Sequence, residues 1–248
     1  MDGGVSTALE IRNVNYRYRD GTEALRNFSA SLASGECAAL VGPNGAGKTT
    51  LALLLAGFLE TADGEIFICG EKIARDSMAL LRSKTGFLFH DPDDQLFMPT
   101  LLDDVCFGLR NGGATSGDAE RIAREMLCEF GLEHAAAKFP GHLSAGQKRL
   151  ATLAGVLVMK PGLLVLDEPT ATLDPHARRL VMDRLRALPM TRLIITHDLE
   201  LVLELCPRVI VISGGTNVAD GDPRTILADA ALMAPHHLEV PASLRARN

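Results

Sequence analysis

Residues 42–49 read Gly42-Pro43-Asn44-Gly45-Ala46-Gly47-Lys48-Thr49, which meets every fixed position of the spacing G-x-x-x-x-G-K-[ST]. Glycines at that spacing let a backbone wrap a chain of phosphates without Cβ clashes. The loop's N–H groups and the start of the next helix then face the phosphate oxygens. Lys48 adds a mobile positive charge for β- and γ-phosphates, and the Thr49 hydroxyl suits Mg²⁺. Two further groups could act on the same chemistry. The apolar run Gly162-Leu163-Leu164-Val165-Leu166 ends in Asp167-Glu168, and Leu193-Ile194-Ile195-Thr196 ends in His197. Asp167 can hold Mg²⁺, directly or through water; Glu168 can take a proton from, or orient, a water that attacks the γ-phosphate. His197 can donate to a γ-phosphate oxygen, although a lone histidine at a strand end is more often structural.

The flanking elements are those such groups need. Glu36 to Val41 is a short apolar run that reads as a buried parallel strand, and Leu51 to Ala56 is strongly helix-forming. Leu9 to Tyr18 and Ala24 to Leu32 read as antiparallel strands around an Asp20-Gly21 turn. Tyr18 is either a packing residue of that region or a platform for an adenine ring. Gly64 to Cys69 is a further strand, Ser77 to Arg82 a short helix, and Thr85 to Phe89 a strand running into the loop His90-Asp91-Pro92-Asp93-Asp94-Gln95. From Asp103 to Phe139 no strand alternates. Asp118 is placed to cap a helix whose stripe is Ile122, Met126, Leu127 and Phe130. This block reads as a helical subdomain, about residues 91–160, inserted in an α/β core. Ser144 and Gln147 have capping-box spacing at the head of another helix. Ala177 to Leu188 is a helix, Val209 to Ile212 and Asn217 to Asp220 are strands, and Pro223 to Ala228 is a short helix. Residues 234–248 read as a loose polar tail. Strands alternating with helices predict a mostly parallel sheet with its chemistry at the strand carboxyl ends.

The bulk composition excludes several classes. The net charge of −6 over 248 residues carries no basic excess, so nucleic acid is not an expected partner. The five cysteines show no C-x-x-C spacing and lie in mostly apolar surroundings, as buried thiols in a reducing compartment would. No apolar run approaches the roughly 18 residues of a membrane span. Met1 to Thr7 are small and polar with no signal-peptide pattern, and the expected place is cytosolic, free or docked.

With these motifs in order, the chain resembles the ATP-binding subunit of an ABC transporter over essentially its whole length. The matching segments are the Walker A loop Gly42–Thr49, the signature Leu143-Ser144-Ala145-Gly146-Gln147, the Walker B strand Leu163–Asp167 with Glu168, the D-loop Thr172-Leu173-Asp174 and the switch histidine His197. The resemblance implies a P-loop NTPase core with an antiparallel β subdomain and an inserted α-helical subdomain, the ABC domain covering residues 1–233. It implies ATP and Mg²⁺ as cofactors, with Glu168, His197 and Lys48 catalytic. Tyr18, Gly42, Pro43, Asn44, Gly45, Ala46, Gly47, Lys48, Thr49, Thr50, His90, Ser144, Ala145, Gly146, Gln147 and Asp174 would hold nucleotide, and Thr49, Asp167 and His90 the metal. Family members pair head to tail, so Ser144 and Gly146 would reach the γ-phosphate bound by a second copy. A helix N-terminus aimed at a phosphate agrees with that.

Phe89 to Phe97 and Asp104 to Gly108 resemble the energy-coupling-factor (ECF) importers, which take up metal ions or vitamins; Asp198 to Val209 and Ala219 to Pro223 look most like the cobalt/nickel branch, with biotin-type ATPases similar. The implied partners are a second copy, a transmembrane coupling subunit and a substrate-binding membrane subunit, at the cytoplasmic face of the membrane. Asp91, Asp93, Asp94 and Phe97 are the expected contact with the coupling subunit, against the plain reading of a solvated acidic loop. Two positions depart from the family. His90 stands where the family has glutamine, and is expected to keep a weaker or water-bridged contact near the metal, with Gln95 a possible substitute one turn away. Ala145 replaces a common glycine. The alternatives are a soluble ABC-type ATPase working on nucleic acid, and a nucleotide-binding scaffold with weak or no turnover.

Overall fold

The computed structural model describes residues 6–60 and 63–245. The signal-peptide reading at Met1–Val5 and the end of the polar tail at 246–248 lie outside the described residues. In chain order the elements are β1 (Thr7–Arg17), β2 (Glu23–Ala33), β3 (Cys37–Val41), α1 (Lys48–Leu55), β4 (Asp63–Ile68), β5 (Glu71–Lys72), α2 (Met78–Lys84), β6 (Thr85–Leu88), α3 (Leu101–Asn111), α4 (Ser116–Glu129), α5 (Ala145–Leu157), β7 (Leu163–Asp167), α6 (Pro175–Ala187), β8 (Thr191–Ile195), α7 (Leu199–Leu205), β9 (Arg208–Ser213), β10 (Thr216–Gly221), α8 (Pro223–Ala228) and α9 (Ala230–Met233). They fall into two compact units, 1–85 with 162–167 and 189–248, and 86–161 with 168–188.

The first unit holds an antiparallel sheet in the order β2-β1-β4-β5 and a run of strands in the order β10-β9-β3-β8-β7. β9, β3, β8 and β7 are mutually parallel, and β10 closes antiparallel onto β9. The parallel strands are apolar without alternation because both faces are covered. Every residue of β3 is buried, and Leu163 to Leu166 of β7 have no exposed area. Each buried leucine or valine among them contributes roughly 1.5–3 kcal/mol relative to exposure. The mixed α/β architecture expected from the sequence is the one observed.

The loose-tail reading does not hold for residues 234–245. They form two short 3₁₀ turns, and Ser243 donates its N–H and Oγ–H to the Glu200 carboxylate at 3.0 and 2.6 Å. The anchor lies 43 residues upstream, beyond any local signal.

The second unit is built around α3, α4, α5 and α6. Alanines at 119, 123 and 154 are fully buried and let the helix axes approach. The unit reaches beyond the expected 91–160 because it also takes 86–90 and 168–188. The close packing of α6 on α5 is the reason: a Cβ at Gly146 would stand 2.6 Å from the Ala177 Cβ. Thr115, not Asp118, caps α4; its side chain accepts from the Asp118 N–H, and Asp118 sits in the first turn. Among the cysteines, Cys37, Cys106 and Cys206 are buried, but Cys128 is exposed on α4.

Candidate functional site

Three adjacent parallel strands of the first unit bring the sequence motifs to one edge. In β3 and β8, Leu40 pairs with Ile195, and in β8 and β7, Ile195 pairs with Asp167. The residues that leave these strands at their carboxyl ends are therefore the Gly42 loop, His197 and Asp167 itself. This is the edge where open parallel sheets carry their ligands.

The loop's geometry needs its glycines. A Cβ at Gly42 would stand 2.1 Å from the Ile212 carbonyl oxygen of β9. Gly47 has φ +108, and a Cβ there would meet the Ala24 carbonyl oxygen at 2.4 Å. Gly47 is also the N-cap of α1, which no side chain caps. A helix that begins on a glycine, with no side-chain cap among the described residues, is the arrangement that favours an anion at its N-terminus. Lys48 Nζ donates to the carbonyls of Gly42 and Pro43 at 2.6 and 3.0 Å, so the cation lies over its own loop. The Thr49 side chain is exposed beside it, whereas Thr50 is buried. The Tyr18 hydroxyl lies 3.0 Å from Thr50 Oγ1, and its ring stands edge-on to Tyr16 at 5.0 Å. Tyr18 is therefore anchored beside the first turn of α1 and keeps a partly exposed ring. The donor set fits a polyphosphate with a divalent cation: backbone N–H groups, a lysine, a hydroxyl and a strand-end carboxylate.

The exposed His197 sits on a pinned corner. Thr196, fully buried, donates its N–H to Leu40 at 3.2 Å and accepts the Asp198 N–H at 3.0 Å. Asp198 in turn caps α7 by accepting from Leu201 N–H.

In the second unit, Glu168 follows Asp167 directly and has φ +48. A side-chain-bearing residue in that left-handed region costs of order 1–2 kcal/mol. Its carbonyl accepts from the Ala171 N–H at 3.2 Å, a tight turn that fixes the corner. Asp174, from the D-loop, caps α6 by accepting from both His176 and Ala177 N–H at 2.9 Å. Ser144 and Gln147 form the reciprocal capping box expected: Gln147 N–H to Ser144 Oγ at 3.3 Å and Ser144 N–H to Gln147 Oε1 at 3.0 Å. Ser144 and Ala145 are exposed and Gly146 is buried against α6.

The His90 side chain is exposed. Gln95, weighed as its substitute, has its amide engaged elsewhere. Oε1 accepts the Phe89 N–H and Nε2 donates to the Phe87 carbonyl, both at 2.9 Å, stapling the end of β6. Two residues that the sequence reading passed over hold the same loop. Arg149, 1% exposed, donates to the carbonyls of Phe89 and His90, and Lys148 pairs with Asp93 at 2.6 Å. The available signal was an arginine directly preceding the apolar stretch Leu150-Ala151-Thr152-Leu153 in the same helix. Asp91 accepts the Asp93 N–H, which forms the single turn of the acidic loop. Phe97 is exposed and stands edge-on to Phe107 at 5.0 Å. No helix among the described residues is long and apolar enough to cross a membrane.

Comparison with known proteins agrees with this geometry. The ABC transporter family model matches residues 25–171, and an AAA-domain model matches residues 139–204. A protein of Geobacter sulfurreducens, whose name places it among ABC transporter ATP-binding proteins, is 45% identical over 237 residues, covering 96% of this chain and 95% of that one. An energy-coupling factor transporter ATP-binding protein of Methanothermobacter thermautotrophicus is 40% identical over 239 residues, covering 94% of this chain and 76% of that one. The solved structure of cbiO1 from Clostridium perfringens, described as part of the ABC transporter complex cbiONQ, superposes with a TM-score of 0.82 at 35% identity over 93% of this chain and 94% of that one. With its glycine cradle, strand-end carboxylate and histidine on one sheet edge, the chain belongs to the ABC transporter ATP-binding proteins, ATPases of the energy-coupling-factor type.

Proposed function

We propose that this chain hydrolyses ATP to drive an ECF importer whose cargo is a cobalt or nickel ion. The single observation that carries the hydrolytic part is the register β3-β8-β7, which delivers Lys48, His197 and Asp167 to one edge. The Gly42–Thr50 segment binds the phosphates through backbone N–H groups and Lys48, and Tyr18 faces the base. Thr49, Asp167 and His90 would hold Mg²⁺, which when bound neutralises phosphate charge. Glu168 accepts a proton from the attacking water, and His197 donates to a γ-phosphate oxygen. Ser144 and the N–H groups behind it close on nucleotide held by a second copy of the chain. Asp174 contributes at that interface through the α6 start that it caps.

Docking on a membrane partner places the chain at the cytoplasmic face, with Asp91, Asp93, Asp94 and Phe97 as the contact. The metal-ion cargo is supported by the sequence resemblance at 198–209 and 219–223. Replacing Glu168 by glutamine keeps the shape and removes the base, and ATP turnover is expected to fall at least about a hundredfold with binding retained. The same variant with ATP should sediment as a dimer. Phosphate release at the unsubstituted rate overturns the assignment. Uptake of radioactive cobalt or nickel, against biotin, in cells expressing the chain with its membrane partners decides the cargo.

A further inference from the structure

Arg149 is the largest fully buried side chain of the described residues, and it belongs to neither the phosphate cradle nor the signature. It lies on α5, five residues after the Ser144 cap. Its two terminal nitrogens divide between consecutive carbonyls: Nη1 donates to Phe89 at 2.7 Å and Nη2 to His90 at 2.6 Å. Both distances are in the short range of charge-assisted bonds. The neighbouring Lys148 reaches the far side of the loop at Asp93, 2.6 Å away. Gln95 pins the loop from within, through Phe87 and Phe89. The backbone of residue 90 is thus fixed on several sides while its imidazole stays exposed.

We infer that Arg149 is a positioning residue that sets where His90 stands and makes the His90 loop and the Ser144 tip of α5 move as one piece. The inference rests on the reading of His90 and Ser144 given above. Its physical basis is the planar guanidinium fork, whose two terminal nitrogens satisfy two successive carbonyls. A lysine keeps the charge but offers a single point of attachment. With Lys in its place, one of the two carbonyls loses its donor and the peptide between residues 89 and 90 can rotate. The histidine at residue 90 is shorter than the glutamine it replaces, so its reach depends more on where the backbone holds it.

The test uses the full chain and the variants Arg149→Lys, Lys148→Met and His90→Ala, alone and combined. Amide hydrogen exchange is followed without nucleotide across residues 86–98, and kcat and KM for ATP are measured separately. Arg149→Lys should raise exchange at 89–95 by about tenfold or more, as loss of a charge-assisted bond does, with β3 and β8 unchanged. It should lower kcat by about tenfold and leave KM within about threefold. In the His90→Ala background the same change should cost little more, because residues acting through one loop are not additive. Unchanged exchange, or a loss of kcat that simply multiplies with that of His90→Ala, overturns the inference. Should Arg149→Lys fail to fold, Lys148→Met carries the same test from the partly exposed side, with the smaller change in the same direction expected. His90→Ala with the full rate would refute the functional reading of His90, and the exchange data would still judge the clamp by itself.

Discussion

Gly45 and Gly47 occupy the same motif and look equivalent in sequence, yet the structure gives them different reasons to be glycine. Gly45 has φ +77 and open space where a Cβ would stand. Gly47 has φ +108, the Ala24 carbonyl oxygen 2.4 Å from that Cβ and the Leu25 Cδ2 at 3.0 Å. In Gly45→Ala the left-handed backbone costs roughly 1–2 kcal/mol, and the stiffer unfolded chain returns about 0.4–1 kcal/mol. The net loss is then about 1 kcal/mol. Gly47→Ala has the same two contributions plus a forced shift of backbone in β2, for which overpacking values of about 1–3 kcal/mol apply. The expected net loss is about 3 kcal/mol. The chain has no tryptophan, so urea unfolding is best followed by far-ultraviolet circular dichroism. With a slope of about 3 kcal/mol per molar, the midpoint should fall by about 1 M for Gly47→Ala and about 0.3 M for Gly45→Ala. Equal shifts, or a larger one for Gly45→Ala, would refute the argument that close approach, and not conformation alone, dictates Gly47.

Asp104 offers a pH test. Its Oδ1 accepts the N–H groups of Phe97 and Met98, its Oδ2 has no hydrogen-bond partner among the described residues, and burial raises its pKa. A raised carboxyl stabilises the fold below its unfolded pKa and loses that advantage as pH rises through the folded one. Asp104→Asn should therefore match the parent at about pH 4 and exceed it slightly, by under about 1 kcal/mol, at about pH 7.5; a loss at neutral pH contradicts this. At the other end of the chain, the Ser243 hydroxyl and then its N–H hold the Glu200 carboxyl below its ordinary range. That contribution is present above the unfolded pKa and lost as pH falls through the lowered one. Ser243→Ala should speed amide exchange at residues 234–245 about tenfold at neutral pH, and the parent should show it only in acid; no change would mean that the segment is held by other contacts.

Local chemistry explains what could be read without a structure. The glycine loop between a buried strand and a helix, the Ser144–Gln147 box and the acids at the end of Leu163–Asp167 each involve residues within a few positions of one another. Composition and spacing suffice there because the partners are covalently near. Even so, Thr115 displaced Asp118 as the α4 cap, since either residue type serves and only the path of the chain selects one. What tertiary structure alone decided spans long separations. The order β3-β8-β7 brings Leu40 and Ile195 together across 155 residues and so makes one edge out of three motifs. Tyr18 meets Thr50 and Arg149 meets the His90 loop through contacts 32 and 59 residues apart. Gln95 turns out to serve the backbone of β6. Such partners depend on how strands stack and which helix face is buried, and a linear pattern of residue types does not encode which of several equally apolar segments will be neighbours.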